Sequence, residues 1–195
     1  SRVFWADPTL RADGVVRAAN TRGQSGLWQF GISGDIPIVV VLVVEGDDLT
    51  LVQQVLQAQE NWRQKALAAD VVVLNEHAEG YRGEMHDRLG ALVQNGPWAG
   101  WRDRPGGAHL LRTENLAVVD RTLLLAAAAA VLDGDRGELA NQLDRPYPEP
   151  HWPPVRRWTS GPFTRLAARP PHFLVPPLLF ENGLGGFTAD GAEYV

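Results

Sequence analysis

Ile38–Val44, with the sequence IVVVLVV, is the stretch that decides the fold of this chain. An unbroken run of β-branched and leucine residues is typical of a strand that is covered on both faces, as in a parallel sheet. Pro37 fits this interpretation, because proline is tolerated at the first position of a strand. Val71–Leu74, with the sequence VVVL, predicts a second buried strand of the same kind.

The segment Leu49–Leu67 between these strands has the pattern of an amphipathic helix. Its apolar face consists of Leu51, Val52, Val55, Leu56 and Trp62, and the side chains predicted to face outward are Gln53, Gln54, Gln57, Glu60, Arg63 and Gln64. Either Asp47 or Asp48 can cap this helix by accepting its free N–H groups. Strand, helix and strand in this order predict a βαβ unit with a right-handed crossover.

The same alternation continues more weakly towards the C terminus. The predicted elements are a helix at Glu84–Val93, a strand at Ala108–Leu111, a helix that starts at Asn115 or Asp120 and carries Ala126–Ala130 to a stop at Asp133-Gly134, and a short helix at Gly137–Leu143. These elements predict an α/β domain over residues 37–145, with a small, mainly parallel sheet built on the βαβ unit.

The remaining residues divide into three further segments. Residues 1–36 hold several glycines and predict an irregular N-terminal segment. Ten of the fourteen prolines lie between Pro146 and Pro177, so residues 146–177 predict an extended, proline-rich strap. Residues 178–195 predict two strands around glycine-rich turns, at the start of an all-β module. The ends of the chain, without an initiator methionine or an apolar leader, suggest a soluble segment of a longer polypeptide.

Composition excludes several classes of function. The chain has no cysteine, and therefore neither disulfides, nor a thiolate nucleophile, nor a cysteine zinc site. Its net charge of −5 argues against nucleic acid as a partner. The longest apolar runs, Ile36–Val44 and Leu123–Leu132, are far shorter than the ~20 residues that a membrane span needs.

A βαβ unit raises the question of nucleotide binding, which the turn after the first strand answers. A phosphate site needs a glycine-rich turn whose N–H groups point at the anion. Here that turn is Glu45-Gly46-Asp47-Asp48, whose three carboxylates would repel a phosphate. We therefore expect no nucleotide, and no cofactor is predicted.

Asn75, Glu76 and His77 follow the second strand, at the edge where open α/β sheets bind ligands. A carboxylate beside an imidazole is suited to acid–base chemistry. The plainer interpretation is that these residues cap the strand and bond to neighbouring loops. Glu76 and His77, together with Glu84 and His86, carry side chains that can bind a metal ion. Their spacing matches no standard zinc pattern, so no metal is predicted.

Tryptophans outside the predicted helices and strands are candidates for carbohydrate contacts. Trp98, Trp101, Trp152 and Trp158 lie in loop or strap sequence, where a flat ring can stack on a sugar. The alternative is that they anchor the strap and loops to the core. Ser33 and Ser160 lie in no nucleophile-elbow context, and no pair of acidic residues is distinguished by its spacing, so no catalytic residue is assigned.

Three motifs in order along the chain carry a family resemblance. They are Ala19–Trp28 (ANTRGQSGLW) followed by Gly31–Val39 (GISGDIPIV), then Leu51–Glu76 with its Trp62-Arg63 pair and closing VVLNE, then Leu179–Phe187 (LFENGLGGF) continuing to Glu193–Val195. Together they resemble the cyclic β-1,2-glucan synthases, in the segment that precedes and enters their cellobiose-phosphorylase-like C-terminal part. The resemblance implies that residues 178–195 form the first strands of a carbohydrate-binding β-sandwich. Glu181 departs from the pattern, in which an aromatic residue is expected.

The resemblance implies a large enzyme of the bacterial inner membrane that builds cyclic β-1,2-glucan from UDP-glucose, with this part on the cytoplasmic side. None of that family's catalytic motifs falls within this chain. We therefore expect a non-catalytic connector that positions neighbouring domains of the longer chain. The alternative is an accessory carbohydrate-binding module that contacts β-glucan through exposed tryptophans.

Overall fold

A computed structural model describes residues 2–4, 7–77, 83–144, 177–181, 184–191 and 194 of the chain. The chain divides into two compact units, Ser1–Glu149 and Pro150–Val195. The first unit is an α/β domain built on one parallel sheet, which confirms the predicted fold class. Its helices and its loops position the candidate site.

Four parallel strands form this sheet, in the order β3-β2-β1-β4. They are β1 (Ile38–Val43), β2 (Asp70–Asn75), β3 (Ala108–Arg112) and β4 (Ala130–Asp133). In register, Val40 lies between Val72 on β2 and Val131 on β4. The two runs that defined the predicted βαβ unit are therefore the central pair of strands, and every residue of β2 is buried.

Helices cover both faces of the sheet. They are α1 (Gly14–Ala18), α2 (Leu49–Gln64), α3 (Glu84–Gln94), α4 (Val118–Ala127) and α5 (Leu139–Leu143), with a 3₁₀ helix at Gln24–Phe30. One apolar cluster packs α2 and α3 on the face of Val39, Val41 and Val71. A second cluster packs α4 and Gln24–Phe30 on the face of Val40 and Val72. Alternate residues of each strand thus enter opposite cores, which is why the strands show no polar alternation.

The prediction for the alanine run was wrong. Helix α4 ends at Ala127, and Ala130–Asp133 forms the fourth strand instead of continuing the helix. Alanine favours helix locally, but Ala130 and Leu132 become fully buried beside β1, whose second edge would otherwise stay unpaired. The helix also starts at Val118, after the N-cap residue Ala117, rather than at Asn115 or Asp120.

The N-terminal segment is more regular than predicted, because it contains α1 and the 3₁₀ helix. Two of its glycines are required by close packing. A Cβ on Gly26 would lie 2.6 Å from Leu123 of α4, and Gly34 combines a φ of +77° with a Cβ position 2.8 Å from Gln24. These contacts fasten the segment over the second core cluster.

In the second unit, β5 (Leu178–Leu179) and β6 (Phe187–Thr188) pair as a short antiparallel ribbon. Phe187 also bridges to Tyr194. The predicted proline-rich strap lies outside the described residues, and the β-sandwich stays a prediction. Among the described residues, every helix is too short or too polar to serve as a membrane span.

Candidate functional site

Strand order identifies where a sheet of this kind would bind a ligand. From β1 the chain passes through α2 to β2 on one side, and it later returns through α4 to β4 on the other side. The direction of winding therefore changes between β1 and β4. In open parallel sheets the ligand crevice lies at this point, beyond the carboxyl ends of the strands, which we call the carboxyl edge.

The crevice at the carboxyl edge is filled by the side chain of Asp48, which is 7% exposed. Its Oδ2 accepts hydrogen bonds from the backbone N–H groups of Val44 (2.8 Å) and Glu45 (2.9 Å). Glu45 and Asp48 form a reciprocal capping box around the turn before α2. The carboxylate lies against Gly134, where a Cβ would be 2.1 Å from Asp48 Cγ.

The β4 side of the crevice is closed by Gln142 of α5, which is 2% exposed. Its Oε1 accepts from Asp133 N at 3.0 Å, while its Nε2 donates to the carbonyls of Asp133 (2.9 Å) and Gly137 (2.7 Å). A cavity of about 290 Å³ remains beside the Asp48 side chain, and its lining includes Asp47, Asp48 and Glu138. Two carboxylates of the turn and the Glu138 carboxylate give this cavity a negative lining, which opposes phosphate binding.

Asn75, Glu76 and His77 lie at the end of β2, and each bonds to a neighbouring part of the chain. Asn75 is buried, and its Oδ1 accepts from His77 N at 3.0 Å. Glu76 Oε1 accepts from Arg121 Nε at 2.7 Å and lies 2.6 Å from Arg121 Nη2. His77 Nδ1 lies 2.6 Å from the Val44 carbonyl oxygen, and because a carbonyl only accepts, this nitrogen donates. The geometry agrees with the capping interpretation.

The metal site considered for Glu76, His77, Glu84 and His86 is not formed among the described residues. Glu84 lies in the first turn of α3, and His86 follows on the same helix. In the described part of the chain no group of three or more His, Asp or Glu side chains could hold a metal ion.

The two candidate tryptophans among the described residues lie in different environments. Trp98 is 6% exposed, and its Nε1 donates to the Leu92 carbonyl at 3.0 Å, so it anchors the loop to the core. Its ring is not open to a sugar. Trp101 is 44% exposed, with the Arg63 guanidinium carbon 5.0 Å from its ring centroid. Trp152 and Trp158 lie outside the described residues.

Sequence reasoning missed several residues of the opposite end of the sheet, the amino edge. Arg63 was predicted to face outward, but its side chain is only 10% exposed. Gln59 is buried, and its Nε2 donates to the carbonyls of Ala69 (2.9 Å) and Gly107 (2.8 Å). Gln59 lies seven residues after Val52, on the apolar face of α2, and a polar residue at that spacing was the available signal. Trp28 was also missed, and it is 64% exposed.

The amino edge also contains a buried polar cluster. Asp70 Oδ1 accepts from Gly106 N at 2.7 Å and lies 3.8 Å from His109 Nε2. Asp103 Oδ1 lies 3.8 Å from His109 Nδ1. Asp70 Oδ2, Gln59 Oε1 and both ring nitrogens of His109 are buried without a hydrogen-bond partner in the described part of the chain. These atoms carry a desolvation cost that is not compensated.

Two carboxyl groups have a clearly shifted pKa. Burial alone would raise the pKa of Asp7, but hydrogen bonds from Thr9 and Arg2 outweigh it and hold the pKa below its usual value. The hydrogen bond from Arg63 lowers the pKa of Glu60. Both carboxylates therefore remain charged at neutral pH.

Comparison with known proteins supports the family relationship that the motifs suggested. No family model matches the sequence. The chain is 29% identical over 207 aligned residues to the cyclic beta-(1,2)-glucan synthase NdvB of Rhizobium meliloti (strain 1021). The alignment covers 98% of this chain and 7% of that relative. The chain thus resembles one domain-sized part of a much longer protein.

Proposed function

We propose that this chain is a non-catalytic α/β domain of a cyclic β-(1,2)-glucan synthase-like protein, and that it positions neighbouring domains. The observation that carries the proposal is the filled crevice at the carboxyl edge. The position where a parallel sheet usually receives its ligand is occupied by Asp48 and closed by Gln142. The chain itself satisfies these polar groups, so they serve the rigidity of the domain.

The residues after β2 support the same proposal. Catalysis by Glu76 and His77 would need a carboxylate and an imidazole that share one reacting group. Instead, the Glu76 carboxylate is neutralised by Arg121, and the His77 ring is bonded to the backbone of the β1 end. Both contacts tie loops of the carboxyl edge together, as a structural role requires.

The match to one relative supports the placement within a longer protein. An alignment that covers nearly this whole chain but 7% of the relative fits one domain among several. We further propose that this longer protein lies in the bacterial inner membrane, with this domain on the cytoplasmic side and the phosphorylase-like part after it. These placements belong to the proposal.

A chimeric protein tests the proposal. The matched segment of the Rhizobium meliloti protein is replaced by this chain, and cyclic β-1,2-glucan formation is measured in membranes at equal expression. We expect synthesis with the wild-type chain and with the double variant Glu76→Gln/His77→Gln, because neither side chain takes part in chemistry. Gly134→Ala, which disturbs the filled crevice, should reduce synthesis through misfolding.

Two outcomes would contradict the proposal. Loss of synthesis in the double variant, with the domain folded, would assign a catalytic role to Glu76 or His77. Full synthesis after deletion of the whole segment would show that no positioning role exists. The isolated 195-residue chain, incubated with UDP-glucose or with glucose 1-phosphate, provides a second measurement, in which we expect no glucan product.

A further inference from the structure

The loop 96–107, at the amino edge, is held rigidly by contacts to the rest of the domain. Trp98 anchors its start in the core, and Gln59 binds the carbonyls of Gly106 (3.2 Å) and Gly107 (2.8 Å) at its end. The backbone crosses itself so closely that a Cβ on Gly107 would lie 1.7 Å from the Trp101 carbonyl oxygen. The loop therefore presents Trp101 from a fixed backbone.

The indole ring of Trp101 is itself fixed from one side. The Arg63 guanidinium stacks over it at 5.0 Å, and this cation is held by Glu60 and by the Gly106 carbonyl at 3.1 Å. Because the pKa of Glu60 is lowered, the ion pair that positions Arg63 persists throughout the neutral range. The 44% of Trp101 that remains exposed is presented to solvent in a prepared orientation.

These features favour a sugar over a protein as the occupant. A flat indole offers a large apolar surface and loses little side-chain entropy when it is already fixed, which suits the C–H face of a pyranose. A protein interface would need a contiguous apolar patch. Next to Trp101 in the chain, Arg102 and Asp103 instead form an exposed ion pair, and charged side chains of this kind can bond to hydroxyl groups.

We propose that Trp101, backed by Arg63, is a binding platform for a β-linked glucan chain. The choice of a glucan rests on the proposed function, since a domain of a cyclic β-glucan synthase-like protein works close to that polymer. The platform lies at the amino edge, away from the filled crevice, so sugar binding requires no rearrangement of Asp48 or Gln142.

The test is a titration of the 195-residue chain with a linear β-1,2-linked glucooligosaccharide, followed by the indole N–H signals in ¹H–¹⁵N NMR spectra. We expect a saturable shift of the Trp101 signal, which is assigned from its absence in Trp101→Ala. That variant should bind about tenfold more weakly, and Trp101→Phe should bind with intermediate affinity. The matched control Trp28→Ala removes another exposed indole and should bind like the wild type.

Several outcomes would overturn the platform. These are no saturable shift in the folded wild-type chain, unchanged affinity in Trp101→Ala, or lost affinity in Trp28→Ala alone. Equal affinity for an α-1,4-linked glucan would overturn the ligand class. Signal dispersion in the NMR spectra shows whether each variant is folded. If Trp101→Ala is unfolded, the affinity of Trp101→Phe provides the test instead. None of these results bears on the chimera, so the platform and the positioning role can fail independently.

Discussion

The two edges of the sheet differ in whether their buried polar side chains have hydrogen-bond partners. At the carboxyl edge, Asp48 and Gln142 are buried, and Asp48 Oδ2 and both polar atoms of the Gln142 amide bind backbone partners. At the amino edge, Asp70 and His109 are buried as deeply, yet polar atoms of both have no hydrogen-bond partner in the described part of the chain. Around the crevice between β1 and β4 the buried polar groups are bonded, whereas within the described residues most buried polar atoms without a hydrogen-bond partner lie at the amino edge, where Trp101 is half-exposed.

This difference shows that strand order locates a possible binding site but does not establish that a ligand binds there. The crevice between β1 and β4 exists, but a capping box and a glutamine occupy it. At the amino edge, the loop 96–107 keeps the half-exposed Trp101 accessible. Four measurements test the difference between the two edges, in order of decreasing change in stability.

Gly107→Ala tests the close backbone crossing at the amino edge. The new Cβ would lie 1.7 Å from a backbone oxygen, which no side-chain movement can relieve, so the loop must shift. We expect a loss of about 4 kcal/mol in the free energy of unfolding, measured by urea denaturation. Gly100→Ala, which meets nothing within 4 Å, is the matched control and should be close to neutral. A small effect of Gly107→Ala would mean that the loop is not rigid.

Gly134→Ala applies the same kind of overlap at the carboxyl edge. Here the clash, at 2.1 Å, is with the Asp48 carboxyl group, which can move but would then leave the N–H groups of Val44 and Glu45 unpaired. The expected loss in unfolding free energy is about 3 kcal/mol, from overpacking and lost hydrogen bonds together. In a double-mutant cycle with Asp48→Ala the two losses should be less than additive. Strict additivity would contradict the contact.

Exchanging one buried polar residue for leucine at each edge compares saturated with unsaturated groups directly. His109→Leu removes two ring nitrogens that have no hydrogen-bond partner among the described residues, so it should raise the unfolding free energy by about 1 kcal/mol. Asn75→Leu removes the acceptor of the His77 N–H and should lower the unfolding free energy by about 1.5 kcal/mol. Thermal unfolding of both variants measures the signs. Equal signs would remove the distinction between the edges.

Asp7→Asn tests a third buried carboxyl group, which, like that of Asp48, accepts hydrogen bonds from neighbouring residues. Thr9 donates to Asp7 through its N–H (2.9 Å) and its hydroxyl (2.7 Å), and Arg2 forms the ion pair. The pKa of Asp7 is depressed in the folded state. Its ionised form therefore contributes stability above the pKa of an unfolded aspartate, ~3.9. This contribution disappears as the pH falls through the folded pKa. We expect Asp7→Asn to cost about 1 kcal/mol at neutral pH.

Urea denaturation of the wild type and of Asp7→Asn across an acidic pH series checks the sign. The difference in unfolding free energy between the two proteins should be constant near neutrality and shrink below about pH 4. A difference that grows towards acid would show that the pKa of Asp7 is raised rather than lowered.

Local pattern was sufficient for the central elements. Ile38–Val44 and Val71–Leu74 have no polar position that could face water, so burial on both faces was the only consistent arrangement. The helix Leu49–Gln64 and the short helix at Leu139–Leu143 followed from spacing and turn signals. Ala126–Ala130 was misassigned because its helix propensity is local, whereas pairing with β1 is not.

The candidate site was predicted less well, because exposure depends on neighbours that are distant in sequence. Nothing beside Trp98 and Trp101 in the chain distinguishes the buried ring from the half-exposed one. Arg63 follows the outward pattern of α2, and only the path of the loop 96–107 brings an aromatic ring over it. Glu76 and His77 were located correctly at the strand end, but their partners, Arg121 and Val44, could not be read from sequence.

The hydrophobic pattern was enough to place Ile38–Val44 and Val71–Leu74 in the middle of an α/β sheet, because strands without polar positions must be buried on both faces. That the three carboxylates of Glu45–Asp48 repel a phosphate stays a prediction from the sequence. The tertiary structure alone decided that β4 pairs with β1, that Asp48 fills the crevice, and that Trp101 rather than Trp98 keeps an open surface. These outcomes depend on contacts across many residues, whose free energies exceed the local preferences of the segments that make them.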